Sequence, residues 1–338
     1  MKITEEEIRP EAVFNEYLRL TAEDIIKYFS NAAKFEINCP ACGGKGSGWV
    51  SKHGFNYKLC KSCSSIYVSP RPVIDAFNAY YTDSPSTKFW ATTFYKVTES
   101  ARREKLWKPK AQLVKDKILA LNKENPIKYI IDIGGGYGVF DEEIKKILDI
   151  ETIIIEPSVH LAEVCRQKGL VVIEKFMEEI KEGDLPEGRK CYVSFELFEH
   201  LHDPNVFLTT VFDNMKSDDI FIFTTLSGMG IDIQLLGEHS KALSPPHHLN
   251  FMNPKSISSL LIRNGFEVIE AITPGKLDID ILHKNKEHIQ DKFWKNLLDY
   301  LNESELEKLQ SKIVELGLSS HMMITCKKKP QTIYEKDN

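Results

Sequence analysis

The sequence predicts an α/β protein built on a mainly parallel β-sheet, and two observations support this prediction. From about residue 128 onward, short apolar runs that can form strands alternate with helical patterns. That alternation favours parallel strands with helices on both faces of the sheet. A cluster of glycines directly follows the first apolar run, in IIDIGGGYG at 130–138. Such a turn between a strand and a helix lets the backbone come close to a bound nucleotide.

Seven apolar runs are predicted to be strands of this sheet. They are residues 129–133, 152–155, 171–173, 191–195, 220–225, 266–272 and 322–327. One helix before the sixth strand is well bracketed, because Asn253 can cap it, Pro254 suits its first turn and Gly265 can end it. A second helix start is predicted at Thr21, which has Asp24 three residues further on.

Changes in composition divide the 338 residues into five segments. Residues 1–34 are predicted to be a helical segment, and residues 35–72 are rich in Cys, Gly, Ser and Lys. Residues 73–121 are helical and aromatic and are predicted to be a connector or lid. The alternating strands and helices occupy residues 122–330, and residues 331–338 are predicted to be a solvated tail.

Charge and hydropathy argue against nucleic acid and membrane as partners. The net charge is -5 and the isoelectric point is about 6.1, which argues against a general nucleic-acid binder. No apolar run approaches the ~18 residues that cross a bilayer, and the acidic N-terminus lacks the apolar core of a signal peptide. Seven cysteines without a secretion signal indicate a reducing compartment. We therefore expect a cytoplasmic protein without a membrane partner, and the composition leaves its oligomeric state open.

Four cysteines form two CxxC pairs with 17 residues between them. They are Cys39 and Cys42 in CPAC, and Cys60 and Cys63 in CKSC. Two such turns complete a tetrahedral zinc site with no open position, so residues 35–72 are predicted to be a structural zinc ribbon. Disulfides or a redox pair are the alternatives.

Two further sets of residues accompany the ribbon prediction. The other cysteines are predicted to be unreactive core residues: Cys165, Cys191 and Cys326. The cations in or beside the ribbon either offset the thiolate charge or meet an anionic ligand: Lys45, Lys52, Lys58, Lys61 and Arg71.

Glycine spacing separates two classes of nucleotide ligand. Gly134 and Gly136 fit the first two positions of the G-x-G-x-x-G fingerprint of dinucleotide sites, but Val139 occupies the third position. The chain instead carries G-x-G-x-G, with Gly138 as the last glycine. This spacing disfavours NAD or a flavin.

Two acids complete the cofactor prediction. Asp132 precedes the glycines by two residues, where it would repel a pyrophosphate but suits the positive sulfonium and amine of S-adenosylmethionine. Glu156 ends the next strand, where a carboxylate can accept hydrogen bonds from both ribose hydroxyls. NAD sites use such an acid as well, so Glu156 indicates a ribose, and the glycine spacing indicates S-adenosylmethionine.

At these motifs the chain resembles the class I S-adenosylmethionine-dependent methyltransferases, over roughly residues 110–329. IIDIGGGYG resembles their first motif, IIIEPS their ribose-binding strand end, and SFELFEHLHDP their fourth strand and the helix start after it. NGFEVIE and HMMITCKKK resemble their last two strands, which pair antiparallel. The resemblance implies a Rossmann-like, seven-stranded, mostly parallel sheet with an antiparallel last strand.

The resemblance also implies roles for individual residues. Asp132 and the glycine turn would hold the methionine end of the cofactor, the turn comprising Gly134, Gly135, Gly136 and Gly138. Glu156 would hold the ribose, and Glu196 and Leu197 would lie near the methyl group. Phe176 and Met177 would flank the adenine, with ordinary core packing as an equal alternative.

The order of ribbon and methyltransferase domain is similar to that of bacterial methyltransferases of sugar, polysaccharide and secondary-metabolite pathways. CKSCSSIYVSPRP and SPPHHLNFMNP carry this similarity, which implies a small-molecule acceptor such as a sugar or sugar nucleotide. Two other functions stay open: an RNA methyltransferase whose ribbon recognises the substrate, and a non-catalytic scaffold. The negative charge and the absence of an Asn-Pro-Pro-Tyr-like motif at 196–199 argue against the first. The intact glycine turn and both acids argue against the second.

Candidate catalytic residues follow the fourth and fifth strands. Methyl transfer is an in-line displacement, for which the protein aligns the acceptor and removes its proton. His247 and His248 lie in SPPHHLNF, and Glu199 and His200 lie in FEHLHDP. Loops beyond the carboxyl ends of parallel strands line the ligand crevice, so these four residues are predicted to act there. The alternatives are structural histidines, and a Glu–His pair that binds a metal or caps a helix.

Two further segments have alternative roles. The aromatic run at 89–95 is predicted to be either a lid, with Arg102 and Arg103 reaching anionic groups, or a packed helix between the two modules. Asp278 and Asp280 alternate with apolar residues, so they would share one face if the segment were extended. They then either contact the substrate or form the exposed side of an edge strand.

Overall fold

The computed structural model describes residues 5–121, 125–181 and 183–329. The tail predicted at 331–338 lies outside these residues. Within the described part of the chain, no helix is both long enough and apolar enough to cross a bilayer.

The described residues form thirteen strands and fourteen α-helices. The strands are β1 Lys34–Phe35, β2 Gly46–Lys52, β3 Phe55–Cys60, β4 Ile66–Val68, β5 Arg71–Pro72, β6 Tyr129–Ile133, β7 Glu151–Ile155, β8 Val171–Ile173, β9 Lys190–Phe195, β10 Ile220–Leu226, β11 Asn250–Phe251, β12 Phe266–Ile272 and β13 His321–Lys328. The helices are α1 Glu5–Ile8, α2 Glu11–Phe29, α3 Ile74–Asp83, α4 Pro85–Phe89, α5 Tyr95–Arg102, α6 Lys108–Leu121, α7 Val139–Ile147, α8 Val159–Gln167, α9 Pro204–Asn214, α10 Ile231–Leu236, α11 Pro254–Arg263, α12 Asp278–Lys284, α13 Lys292–Tyr300 and α14 Glu303–Glu315.

The main sheet has seven strands in the order β12-β13-β10-β9-β6-β7-β8. Strands β8, β7, β6, β9 and β10 are parallel to one another, and β13 runs antiparallel to both of its neighbours. All seven predicted strands are confirmed, each to within one residue at either end. The Rossmann-like fold with an antiparallel last strand is likewise confirmed.

Apolar side chains cover both faces of this sheet. One layer packs α9 and α11 on one face, and the other packs α6 and α7 on the opposite face. All six residues of β9 are buried, as expected for a central strand of a parallel sheet covered on both sides. The three cysteines outside the ribbon are buried in the core, as predicted: Cys165, Cys191 and Cys326.

A separate four-stranded antiparallel sheet, in the order β11-β4-β3-β2, contains the cysteine ribbon. Its outer strand β11 comes from the loop that carries the predicted catalytic histidines, and Asn250 pairs with Tyr67. The ribbon therefore extends beyond the predicted residues 35–72 and takes a strand from the main domain.

The helices confirm one predicted terminus and correct another. Asn253 caps α11, where its side chain accepts hydrogen bonds from the amides of Lys255 and Ser256. The predicted helix start at Thr21 is wrong, because α2 runs through this position and the Thr21 hydroxyl donates to the Tyr17 carbonyl one turn earlier.

The connector between ribbon and main sheet is helical. Between α4, α5 and α6 lie two π-helical turns, Trp90–Phe94 and Arg103–Trp107. Such turns are frequent at functional sites.

The segment after β12 is not extended. Asp278 begins helix α12, and its buried carboxylate accepts hydrogen bonds from the Ser319 hydroxyl and the Ser320 amide. The segment is helical, so the edge-strand alternative for Asp278 and Asp280 does not apply. Asp278 lines the cavity at the carboxyl ends of the parallel strands, whereas Asp280 does not.

Candidate active site

A cavity of about 2280 Å³ opens at the carboxyl ends of β6, β7, β9 and β10. It lies where the strand order reverses between β6 and β9, the place at which open α/β sheets bind ligands. The ends of these strands supply Gly134, Glu156, Glu196 and Leu226 to its wall.

The glycine turn after β6 needs the freedom of glycine. Gly134, Gly136 and Gly138 have φ of +75°, +56° and +65°, a region that disfavours side chains. A Cβ at Gly138 would lie 2.4 Å from Leu170 Cδ1, and one at Gly135 would lie 2.8 Å from Ile154 Cγ2. Gly134 and Gly136 line the cavity, whereas Gly135 and Gly138 support the turn from behind.

Glu156 is the predicted ribose-binding acid and lines the cavity in a buried position. Its Oε2 accepts from the Gly136 amide at 3.1 Å, and its Oε1 accepts from the Ser158 amide at 2.9 Å. Burial raises the pKa of Glu156 to about 6, although these two hydrogen bonds oppose the rise. The carboxylate is thus fixed in orientation, and each of its oxygens keeps a lone pair for a further donor.

Asp132 does not line the cavity. It is buried beneath the glycine turn, where a Cβ at Gly135 would lie 2.9 Å from its Oδ2. Burial and the neighbouring carboxyl of Asp141 raise its pKa well above the usual range. Asp132 therefore packs against the turn from below. Its predicted contact with the methionine end of the cofactor stays a prediction.

Phe176 and Met177 both line the cavity. The Phe176 side chain is 49% exposed, whereas Met177 is 3% exposed and belongs to the core. Phe176 is therefore available to a ligand such as the adenine, whereas Met177 is packed in the core.

Glu196 lies directly after β9 and has φ of +55°, a strained conformation for a residue with a side chain. Its Oε1 accepts from the Thr224 hydroxyl at 2.7 Å and lies 3.4 Å from both Lys110 Nζ and His321 Nδ1. Burial alone would raise the pKa of Glu196, but His321 and Lys110 lower it to about 2. A fixed negative charge therefore faces the cavity where the sulfonium is predicted, beside Leu197.

The two predicted loop histidines have different environments. His247 is 8% exposed, and both ring nitrogens face tyrosines, with Nε2 2.8 Å from the Tyr80 hydroxyl and Nδ1 3.4 Å from that of Tyr81. His248 instead holds the Ala242 carbonyl with Nδ1 at 2.6 Å. Burial lowers the pKa of His247 to about 3 and that of His248 to about 4, so both are neutral near pH 7. His248 keeps Nε2 for a ligand, whereas His247 has the contacts of a structural histidine.

Glu199 and His200 complete a cluster with His248. Their ligand atoms lie within 4.8 Å of one another, and all three residues line the cavity. The Thr225 hydroxyl donates to Glu199 Oε2 at 2.8 Å. Burial, followed by the nearby Glu196, raises the pKa of Glu199 to about 8, and burial lowers that of His200. The structure thus brings three of the four predicted catalytic side chains together.

The ribbon holds the histidine loop in place. Tyr57 of β3 donates its hydroxyl to the His248 carbonyl at 3.0 Å. Arg71, although predicted among the available cations, is 1% exposed and donates to the His202 carbonyl and to Asn250 Oδ1. The Leu249 amide donates to the Glu199 carbonyl at 2.7 Å, which joins the two loops that carry the cluster.

The four cysteines of the ribbon converge. Sγ of Cys39 lies 3.6 Å from that of Cys63, Sγ of Cys42 lies 3.4 Å from that of Cys60, and all four lie within 4.8 Å of one another. Sulfur atoms around tetrahedral zinc are separated by about 3.8 Å, given Zn–S bonds of about 2.3 Å. The cluster therefore fits one zinc ion, and it lies outside the cavity.

The helical connector covers the glycine turn. Tyr95 stacks on Tyr137 of that turn with ring centroids 4.8 Å apart. Arg102 and Arg9 line the cavity, and the described residues offer neither guanidinium a hydrogen bond or ion pair. Arg103 points elsewhere and pairs with acids of α5 and α7, so only one of the two predicted arginines faces the cavity.

Several cavity residues were not predicted from the sequence. They are Lys110, His321, Thr224 and Arg9. None of them lies in a spacing motif, because each reaches the cavity from an element whose position depends on tertiary packing. The two π-helical turns of the connector depart from a regular α-helix, and no sequence signal predicts them.

Comparison with known proteins gives one family match. The profile of a family described as "Methyltransferase domain" matches residues 102–271. None of the curated proteins compared matches the chain.

Several solved structures are similar in fold. An O-methyltransferase from a trans-AT polyketide synthase of Brevibacillus brevis, in complex with S-adenosyl-L-homocysteine, is 16% identical, with 70% of this chain and 76% of that chain covered and a TM-score of 0.45. An S-adenosylmethionine-dependent methyltransferase from Clostridium acetobutylicum is 10% identical, with 70% and 98% covered and a TM-score of 0.44. The cyclopropane synthase MmaA2 from Mycobacterium tuberculosis is 17% identical, with 64% and 84% covered and a TM-score of 0.41.

Proposed function

Since the chain belongs to the methyltransferase-domain family, whose profile matches half of it, at 102–271, we propose that it methylates a small molecule with S-adenosylmethionine as the donor. The acceptor in this proposal is a sugar nucleotide. The proposal includes one structural zinc ion in the ribbon.

Glu156 is the observation that carries the cofactor proposal. Two backbone amides orient its buried carboxylate toward the cavity beside the glycine turn. A ribose diol can donate to the free lone pairs, whereas a phosphate at the same place would meet a negative charge. Glu196, held ionised near Leu197, suits the positive sulfonium.

Cavity size and two arginines support an anionic acceptor. Small-molecule pockets are typically about 300–1,000 Å³, so a cavity of about 2280 Å³ leaves room for a second molecule beside the cofactor. Arg9 and Arg102 face this space without a carboxylate partner among the described residues. Guanidinium groups bind phosphate oxygens through paired N–H donors, which suits the diphosphate of a sugar nucleotide.

The ribbon supports a small molecule over RNA. Arg71 is buried and Lys58 pairs with Glu36, so these two cations are not available to a phosphate backbone. Lys52 donates to the Ser240 carbonyl, where burial lowers its pKa to about 8. The ribbon instead supports the wall of the cavity.

The reaction follows from this arrangement. The acceptor hydroxyl faces the cluster of Glu199, His200 and His248, which assists loss of its proton. The acceptor oxygen then attacks the methyl carbon in line with the carbon–sulfur bond. The bonding electrons pass to sulfur, and S-adenosylhomocysteine leaves.

Two measurements test the function. Calorimetry should show binding of S-adenosylhomocysteine and no comparable binding of NAD. Incubation with S-adenosylmethionine and a panel of sugar nucleotides, followed by mass spectrometry, should show one added methyl group on one of them. Preferential binding of NAD, or methylation of RNA but of no small molecule, would overturn the proposal.

Arg102→Met tests the anion site, with Arg166→Met as the matched control on the exposed face of α8. The first variant should raise KM for the nucleotide at least tenfold while leaving cofactor affinity within about twofold. The control should change neither value. Equal KM values for both variants would exclude Arg102 from acceptor binding.

A further inference from the structure

We infer that Glu199, His200 and His248 form a second metal site, which binds a divalent cation in the cavity and presents it to the acceptor hydroxyl. The metal site stands on its own geometry, and its role in catalysis rests on the proposed function. It is distinct from the four-cysteine cluster in position and in ligand chemistry.

The geometry is that of a three-ligand site. The ligand atoms lie within 4.8 Å of one another, and ligands around tetrahedral zinc are about 3.4 Å apart at bond lengths of about 2.1 Å. An ion would draw them together by no more than about 1.4 Å. The ring centroids of His200 and His248 lie 4.8 Å apart and the ring planes are at 89°, so the two imidazoles are close without being stacked.

The hydrogen bonds that hold His248 and Glu199 are those expected of metal ligands. A histidine that binds a metal usually donates its other ring N–H to a carboxylate or a backbone carbonyl. His248 does this through Nδ1 to the Ala242 carbonyl at 2.6 Å, which leaves the Nε2 lone pair for a metal. The Thr225 hydroxyl orients the Glu199 carboxylate from behind in the same way.

The backbone around the cluster is also fixed. The amide of Leu249 donates to the carbonyl of Glu199, and the Tyr57 hydroxyl donates to the carbonyl of His248. The two ligand-bearing loops are thus tied to each other and to the ribbon. Such second contacts hold first ligands in place and sustain metal affinity.

The donor set of the cluster suits a cation. Glu199 is 1% exposed, its carboxyl accepts from the Thr225 hydroxyl, and the described residues give it no ion pair. Lys110 is engaged by Glu196 instead, so a bound divalent ion would supply the positive charge beside an ionised Glu199. Two imidazoles and one carboxylate are a ligand set for Zn²⁺, Fe²⁺, Mn²⁺ or Co²⁺, and they leave an open position toward the cavity.

His247 is excluded from the ligand set. Both of its ring nitrogens face tyrosine hydroxyls. Its role is to hold the loop next to His248, so its replacement should leave metal binding intact.

A divalent cation held by Glu199, His200 and His248 would lower the pKa of an acceptor hydroxyl at its open position. The proton of that hydroxyl would pass to solvent. The resulting oxygen attacks the methyl carbon of S-adenosylmethionine. The carbon–sulfur bond breaks, its electrons stay on sulfur, and no oxidant or reductant is required.

Metal content tests the site without the acceptor. The full-length protein, purified and then equilibrated separately with Zn²⁺, Mn²⁺ or Co²⁺ and desalted, should hold two metal ions per chain by mass spectrometry. His248→Asn and Glu199→Gln should each hold one. Cys60→Ser should lose the other ion, and His283→Asn, at an exposed histidine outside the cavity, should keep two.

The cobalt form gives a second readout on the wild-type protein. The four-cysteine site produces intense thiolate-to-cobalt absorption, whereas the second ion should add only weak visible bands, and His248→Asn should lose the weak bands alone. One metal per chain with all three cations, or two ions retained in both cavity variants, would overturn the inference.

Failure of the methyltransferase proposal looks different. A chain that binds two metals but neither S-adenosylmethionine nor its product would keep the metal site and lose the function. A chain that binds the cofactor with one metal would do the reverse.

Discussion

Replacing Glu156 with Gln tests the cofactor site most directly. Each carboxylate oxygen accepts one backbone amide, from Gly136 at 3.1 Å and from Ser158 at 2.9 Å, and has one lone pair left for a ribose hydroxyl. Glutamine keeps one acceptor oxygen and turns the other into a donor. One hydrogen bond to a charged group is lost, worth about 1.5–3 kcal/mol. The dissociation constant for S-adenosylhomocysteine should therefore rise about ten- to a hundredfold.

The same residue sets a pH dependence. Burial raises the pKa of Glu156 to about 6 in the free protein, and the ribose hydroxyls need the ionised form as acceptor. The neutral form gains population as pH falls through that value, so affinity is full above about pH 7. It should be about tenfold weaker at pH 5.

Isothermal calorimetry with S-adenosylhomocysteine at pH 5, 6, 7 and 8 measures both effects. Glu163→Gln, at an exposed acid on α8, is the matched control and should bind as the wild type does at every pH. Thermal melts establish that each variant is folded at the temperature used, since Gln leaves one buried amide without an acceptor. Unchanged affinity in Glu156→Gln, or a wild-type pH profile in that variant, would refute the ribose assignment.

Three further variants probe the ribbon, the glycine turn and the buried histidine. Cys60→Ser should bind less zinc by metal analysis and melt at a lower temperature, and an unchanged zinc content would contradict the ribbon proposal. Gly138→Ala places a Cβ 2.4 Å from Leu170 at φ of +65°. It should lower the free energy of unfolding by roughly 1–3 kcal/mol. Gly169→Ala is the control for backbone strain alone, because Gly169 also has positive φ but open space around its Cβ. The pKa of His247 is about 3 in the folded protein, below its value in the unfolded chain. Between these two values the unfolded chain binds one more proton than the folded protein does. The free energy of unfolding therefore decreases as the pH is lowered through this window. At pH 5 the loss is on the order of 2 kcal/mol, and denaturant titrations of His247→Gln at pH 5 and 7 should show a smaller difference than in the wild type.

The sequence was informative wherever local pattern determines structure. The strands at 129–133 and 191–195 are rich in the β-branched and aromatic residues that a covered parallel sheet favours, so their limits were predicted closely. The same holds for the cap at Asn253 and for the four cysteines, because each depends on neighbours a few residues away.

Contacts between distant segments could not be predicted from local sequence patterns. Nothing near Asn250 indicates that it joins the ribbon sheet, and nothing near Lys110 or His321 indicates that both approach Glu196. The roles of His247 and His248 differ only because tyrosines from α3 face the first. Residue type predicted the chemistry available, and packing decided which side chains can use it.

The ribbon sheet also bears on how the chain folds during synthesis. The hydrogen bond from Tyr57 to the carbonyl of His248 joins residues 191 positions apart, and strand β11 follows directly. At about 5–20 residues per second, that partner leaves the ribosome on the order of 10–40 s after the first three ribbon strands. During this interval β4 is an unpaired edge, open to association with another chain. A fragment that ends before residue 250 would keep that edge permanently, so the ribbon is predicted to aggregate when expressed alone.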